Sequence, residues 1–429
     1  MRTLLPLTFL LLLAPALARG QGARYRSNTI DPRARRVAAD IQRGVLADPQ
    51  RYLEPLVKAL TAGVDDDFLK VKILHDWVAD NIAYDAKSYL AGTSVESDWQ
   101  TTLASGKGVC QGYSKLLAEM CRLAAVPCEK ISGYGRGYLF GMGAADSPNQ
   151  VNHAWNAVQI GGRWYLVDVT WDAGQVKQGA FHKAYGTTYL FPQPRQFVYT
   201  HFPSEPKWQL LDPPLAAEQF VRLPYLRGTF FEHGLQLLSP LGRVTRAGKS
   251  VQFSLQLPDD VLLSTQLKPP QGAELPWRTL LQREADQCKV LATFPRAGRW
   301  KVQVFAKRRG DPGSLSLAAS LEFDSSGGTA RTFPKTYTTY GELDGSLYSP
   351  LYLPLAVGKP LPFRVRLRGA EEVYLTIGGR RWERLLPNRS EKEIYELTTT
   401  VPSGVPVRLA LKKPGGDSYA TFIDFTPDL

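Results

Sequence analysis

Three residues far apart in the chain have the types of a nucleophile, a base and an orienting acid: Cys110, His153 and Asp168. A thiolate attacks a carbonyl carbon far better than a thiol, and a free cysteine is mostly thiol at neutral pH. A helix N-terminus favours the thiolate, because its unpaired N–H groups and its dipole attract negative charge. Cys110 fits such a start. Gly106-Lys107-Gly108 reads as a turn, and beyond it Tyr113, Leu117, Met120 and Ala124 fall on one helical stripe, with Leu116 and Leu123 beside it. Pro127 ends the helix. For Cys110 alone, a small buried thiol on that stripe is the competing reading.

His153 and Asp168 gain weight from their register. Residues 151–160 and 163–171 alternate as strands, and Gly161-Gly162 between them is a two-residue hairpin turn. If Ile160 pairs with Arg163, then Trp155 pairs with Asp168 and His153 pairs with Thr170. His153 and Asp168 then share a face as diagonal neighbours, about 7–8 Å apart at Cα. An aspartate so placed accepts from one imidazole nitrogen and leaves the other for a thiol. An aspartate within the apolar run Tyr165-Leu-Val-Asp-Val-Thr170 is otherwise costly to bury. Asp172 rivals Asp168 only if the strand continues that far. His75 is expected near the surface of its helix, and His182, His201 and His233 have no carboxylate at a telling spacing.

The elements that must position these residues follow from periodicity. Helices are expected over 35–46, 49–62 and 66–82, the last carrying Phe68, Val71, Leu74, Val78 and Ile82 at helical spacing, with Asp65 or Asp66 as N-cap. A strand is expected at Glu129–Tyr134, then a Gly-rich loop over 135–150. Beyond about residue 210 the helical signal gives way to short strand-like runs between Gly and Pro, at Val251–Leu257, Trp300–Ala306, Phe363–Leu367 and Val405–Leu411. Ser239-Pro240, Gly248-Lys249, Phe253 and Leu257 recur 110 residues later as Ser349-Pro350, Gly358-Lys359, Phe363 and Leu367. That repeat predicts two tandem β-sandwiches, 213–328 and 329–429, after a catalytic domain over 19–212.

Composition sets the remaining bounds. At 429 residues and 44% apolar content the chain has the size of several globular domains. Arg2, the apolar run Leu4 to Leu13 and Ala16-Leu17-Ala18 read as a secretory leader over 1–18, too short to span a bilayer. The expected mature chain is soluble outside the cytoplasm, with no transmembrane segment. The net charge of +12 becomes +11 without Arg2, which suits anionic cell-surface or matrix polymers as partners. No nucleic-acid motif appears, and nothing calls for a cofactor. Cys110, Cys121, Cys128 and Cys288 are too few for a disulfide framework and lack a zinc spacing. Cys121 and Cys128 are open to pairing or to remaining as buried thiols.

The stretches Gly108-Val-Cys-Gln-Gly-Tyr-Ser114, Gly133-Tyr-Gly-Arg-Gly137, Asn152-His-Ala-Trp-Asn156 and Trp164-Tyr-Leu-Val-Asp-Val-Thr-Trp-Asp172 together resemble the transglutaminase-like superfamily. They are most similar to its kyphoscoliosis peptidase-like branch, as are Ile82-Ala-Tyr-Asp85 upstream and His201-Phe-Pro203 with Trp208-Gln-Leu-Leu211 downstream. The resemblance runs over roughly residues 35–330. It implies an α+β papain-like (transglutaminase-like) catalytic core, here followed by two all-β immunoglobulin-like sandwich domains. It also implies a Cys110–His153–Asp168 triad acting on a protein or peptide substrate. Such families hold peptidases, cross-linking enzymes and inactive relatives. Three readings follow: a peptidase or amidase working through a thioester on Cys110, a protein cross-linking transglutaminase, or a non-enzymatic scaffold with a relic core. One oxyanion donor is the Cys110 N–H, and Trp99 and Gln100 are candidates for a second.

Overall fold

The computed structural model describes residues 21–37, 39–93, 98–137, 146–412 and 418–426. The expected leader, residues 1–18, and the middle of the Gly-rich loop lie outside the described residues. The chain divides into two compact units. The first takes the described residues up to 137 with 149–197 and 203–214, and the second takes 146–148, 198–202 and the chain from 215 onward.

The first unit is α+β. Its helices are α1 (Ala39–Ala47), α2 (Pro49–Thr61), α3 (Asp67–Asn81), α4 (Trp99–Ser105) and α5 (Cys110–Leu123). Strands β1 (Cys128–Gly135), β2 (His153–Ile160) and β3 (Arg163–Val167) are antiparallel with β2 in the middle, and a short helix α6 (Val169–Ala173) follows. Asp48 and Asp66 cap α2 and α3, each accepting first-turn N–H groups. The stripe of α5 is buried as the periodicity requires: Tyr113, Leu116, Leu117 and Met120 are wholly inaccessible and share one core with Val158 and Val167. That core presses α5 onto the sheet. The helix stops where Ala125 turns left-handed and the Val126 N–H reaches back to the Cys121 carbonyl at 2.9 Å, just before Pro127.

Helix α3 differs from expectation at His75. It is buried almost all round, polar residues included, because it packs against α2, α5 and α6 together. His75 is therefore wholly buried, not near the surface.

The second unit is almost all β. In its first half β4 (Ser250–Gln256), β7 (Gln287–Thr293) and β6 (Thr279–Glu284) form one sheet, and β5 (Val261–Lys268), β8 (Gly298–Arg308) and β9 (Ser316–Ser325) the other. Its second half runs as a continuous path through β15 (Tyr419–Asp424), β14 (Val407–Lys412), β11 (Val373–Ile377), β12 (Arg381–Pro387), β13 (Ile394–Thr400) and β10 (Pro360–Arg366). The path is continuous because β12 pairs with β11 through Arg381–Leu385 and then with β13 through Leu386 and Pro387. The 110-residue repeat extends to whole elements. Tyr225–Leu226 and Lys335–Thr336, Gly228–Glu232 and Thr338–Glu342, and Ser250–Gln256 and Pro360–Arg366 each start 110 residues apart (225 to 335, 228 to 338, 250 to 360). Phe253 and Phe363 fill the same place in the two halves and are 1% and 0% exposed. Among the described residues no helix is long and apolar enough to cross a membrane.

Phe253→Ala and Phe363→Ala each remove a ring from a filled core, which costs about 3–5 kcal/mol. Guanidinium unfolding of the two variants should show midpoints lowered to a similar extent; a shift within error at either site would break their equivalence.

Candidate active site

Cys110 is the first residue of α5 and is 6% exposed. The preceding cap position is Val109, whose side chain makes no cap to the first-turn N–H groups. Two glycines make the approach possible. A Cβ on Gly112 would lie 2.2 Å from Thr102 Oγ1, and that hydroxyl is fixed by donating to the Asp98 carbonyl at 2.9 Å. A Cβ on Gly108 would lie 2.9 Å from the Thr102 methyl. The helix start thus sits directly on α4.

His153 opens β2. The hairpin register is the expected one, with Ile160 opposite Arg163, and both turn glycines have positive φ (56° and 75°). The ladder ends early, at Asn156 opposite Val167. Asp168 is not a strand residue, as the alternation suggested; it leaves the sheet to become the N-cap of α6. Its Oδ1 accepts from the Thr170 N–H at 3.0 Å and the Trp171 N–H at 3.2 Å. Its Oδ2 lies 2.7 Å from His153 Nε2. The expected contact is present, made from a helix cap rather than a diagonal strand pair.

The imidazole has two indoles beside it, Trp171 stacked at 5.0 Å and Trp155 tilted at 5.9 Å between centroids. Gly135 leaves it room, since a Cβ there would come within 3.0 Å of the His153 Cβ. Nε2 is taken by Asp168, and Cys110 is near enough to favour the charged form of the ring. Burial, the largest single influence, disfavours a charged imidazole. The Asp168 charge and hydrogen bond, with Cys110 adding to them, outweigh it and push His153 up to about 10. Asp168 itself is wholly buried. Burial, with the nearby Cys110 as a lesser cause, also lifts the phenols of Tyr84 and Tyr89.

Asp172 does not join this group. It lies in α6 with its Oδ2 3.2 Å from His75 Nε2, while His75 Nδ1 lies 3.1 Å from Asp76 Oδ1. Burial is the largest influence on His75 and lowers it, but the two carboxylates reverse the sign and hold it at about 9. Gln100 donates to Gln50 Oε1 at 3.4 Å, and Trp99 leans half-buried on the helical core. Cys121, Cys128 and Cys288 are free thiols. A hydrogen bond from Cys128 and then burial raise Cys121, and burial pushes Cys288 up to about 12. Trp171 and Tyr84 stand in the motifs without a signal of their own, and His75 is hidden because Asp172, one of its two partners, is 97 residues away in the chain.

Residues 54–169, which hold all three candidate residues, match the transglutaminase-like superfamily, and residues 217–331 match the KY-like, immunoglobulin-like domain. The chain therefore carries a transglutaminase-like α+β core followed by an immunoglobulin-like β region. Among curated proteins, human kyphoscoliosis peptidase is 31% identical over 280 residues, 63% of this chain and 40% of the relative. Hillarin of Drosophila melanogaster is 26% identical over 204 residues, 44% of this chain and 25% of that protein. The chain thus spans well under half the length of these relatives. A solved TGase crystal structure aligns at 19% identity with a TM-score of 0.23, over 33% of this chain and 36% of that one.

Both histidines are raised above the ordinary 6.5, so the native state holds their protons more tightly than the unfolded chain. Their stabilisation is complete below about pH 6.5 and is lost as pH rises through about 9 for His75 and about 10 for His153. Urea midpoints should fall between pH 7 and 10, and less steeply in Asp168→Asn. A flat profile to pH 10 would contradict the buried imidazolium pairs.

Proposed function

We propose that this chain is a transglutaminase-like cysteine enzyme that opens protein amide bonds through a thioester on Cys110. The observation that carries the reading is the buried hydrogen bond from His153 Nε2 to Asp168 Oδ2 at 2.7 Å, on a ring whose charge Cys110 also favours. A buried imidazole beside two indoles, tied to a buried carboxylate, is suited to take a proton from a thiol and keep it.

The steps follow from these positions. Cys110 sulfur attacks the carboxamide carbon while His153 holds the thiol proton. Asp168 stabilises the imidazolium and fixes its orientation without taking the proton. The Cys110 N–H at the start of α5 faces the developing oxyanion. His153 returns a proton to the departing amine, leaving the thioester. Water then gives hydrolysis; a lysine amine gives a cross-link. Hydrolysis is favoured, because the relative with the longer match is named a peptidase and water is the default acceptor for a thioester.

The substrate is proposed to be a protein or peptide met outside the cytoplasm. Support comes from Arg2, the apolar run from Leu4 to Leu13 and Ala16-Leu17-Ala18. The net charge of +12 suits retention on anionic surface or matrix polymers, which salt should weaken. N-terminal sequencing of exported protein should begin near Arg19; a retained Met1 counts against cleavage.

Against a peptide library, Cys110→Ala and His153→Ala should each abolish turnover. Asp168→Ala should leave a residual rate, reduced by roughly 10⁴ as for an orienting acid elsewhere. Full turnover in Cys110→Ala overturns the assignment. Robust incorporation of a labelled amine into an acceptor protein would instead favour the cross-linking reading.

A further inference from the structure

Behind the Asp168–His153 pair lies a second histidine that the chemistry above does not use. His75, on α3, is wholly buried between Asp76 and Asp172, both also buried. Asp76 is held in turn by Lys72, by the Tyr185 hydroxyl at 2.6 Å and by the Asp31 N–H at 2.7 Å. The charged and titratable groups facing this histidine are therefore Asp76 and Lys72 on its own helix, Asp172 from α6 and Tyr185 at its edge, 6.2 Å between ring centroids. Two carboxylates this dry are tolerable only with cations beside them, and Lys72 and the imidazolium supply those.

The network reaches the site through Tyr189. Both carboxylate oxygens of Asp172 accept from the Tyr189 N–H at 3.0 Å. The Tyr189 carbonyl accepts from the Asp168 N–H, also at 3.0 Å. One residue thus ties the two aspartates of α6 together. Its ring stands edge-on to Trp171 at 5.2 Å, and Trp171 is the indole stacked on His153. From both its backbone and its ring, Tyr189 braces the Asp168–His153 contact.

We propose that His75 and Asp172 form a positioning pair for the triad: His75 holds the Asp172 carboxylate, Asp172 fixes Tyr189, and Tyr189 fixes Asp168 and Trp171 against His153. The inference rests on the catalytic reading above. Neither residue touches the reacting atoms, so each acts through the geometry of Asp168.

The test uses the full chain and reads iodoacetamide alkylation of the Cys110 peptide by mass spectrometry from pH 5 to 10. In the wild type, Cys110 assisted by His153 should label faster than a free thiol at pH 5–6. His75→Gln and Asp172→Asn should each lower that acid-side rate about tenfold, the equivalent of one pKa unit at His153. Rates near pH 10, where a thiol ionises without a base to assist it, should stay within twofold. The signs matter. Through space, removing the positive His75 favours the His153 imidazolium and removing the negative Asp172 disfavours it, so charge alone predicts opposite shifts. Positioning predicts a loss in both. Thermal melts confirm folding; if these two variants do not fold, Tyr185→Phe, at a partly exposed residue, should show a loss of about threefold. Acid-side rates within twofold of wild type, opposite shifts, or a change uniform across pH overturn the proposal. A wild-type Cys110 that labels no faster than a free thiol at pH 5–6 overturns the catalytic reading instead, and this inference with it.

Discussion

The first unit is organised around one wholly buried carboxylate. Asp168 accepts two backbone N–H groups as the cap of α6 and engages the imidazole of His153 with its other oxygen. A carboxylate without such partners would not stay ionised in an apolar interior. Each partner constrains an element. The cap fixes where β3 ends and α6 begins, and the imidazole fixes the start of β2. Loss of any one partner leaves the charge poorly compensated, so the three elements must assemble together.

The remaining packing brings the nucleophile to that point. Tyr113, Leu116, Leu117 and Met120 press α5 against the sheet, and Thr102 meets its first turn so closely that Gly112 has no room for a Cβ. The Tyr113 hydroxyl donates to the Ile82 carbonyl at 2.7 Å, joining α5 to the end of α3. Hydrophobic contact supplies the force here, and short polar contacts set the register. Trp155 and Trp171 pack beside the imidazole, and its burial strengthens its interaction with Asp168.

Much of this was legible in the residues, for reasons that can be named. The α5 stripe is strictly helical, and Gly161-Gly162 admits only a tight hairpin, so Cys110 at a helix start and the Ile160–Arg163 register could both be derived. Asp168 was found by a route that was only partly right. Val169 and Thr170 are β-branched and read as continued strand, yet the aspartate just before them is a strong cap, and the cap prevailed. His75 was misread because a polar residue on a helix usually faces water, and the carboxylate that buries it, Asp172, is 97 residues away. In the β region the 110-residue offset revealed the duplication, but not that β12 would pair on both sides and join the second half into one path.

The central claim is that Cys110 forms an acyl-enzyme with help from His153. It is tested most directly by intact-mass analysis after mixing the full chain with a chromogenic activated ester in a stopped-flow burst assay. A burst approaching one equivalent is expected, with a single acyl adduct mapped to the Cys110 peptide and loss of both in His153→Ala. An adduct spread over Cys121, Cys128 or Cys288, or a Cys110 that acylates equally well without His153, would contradict it.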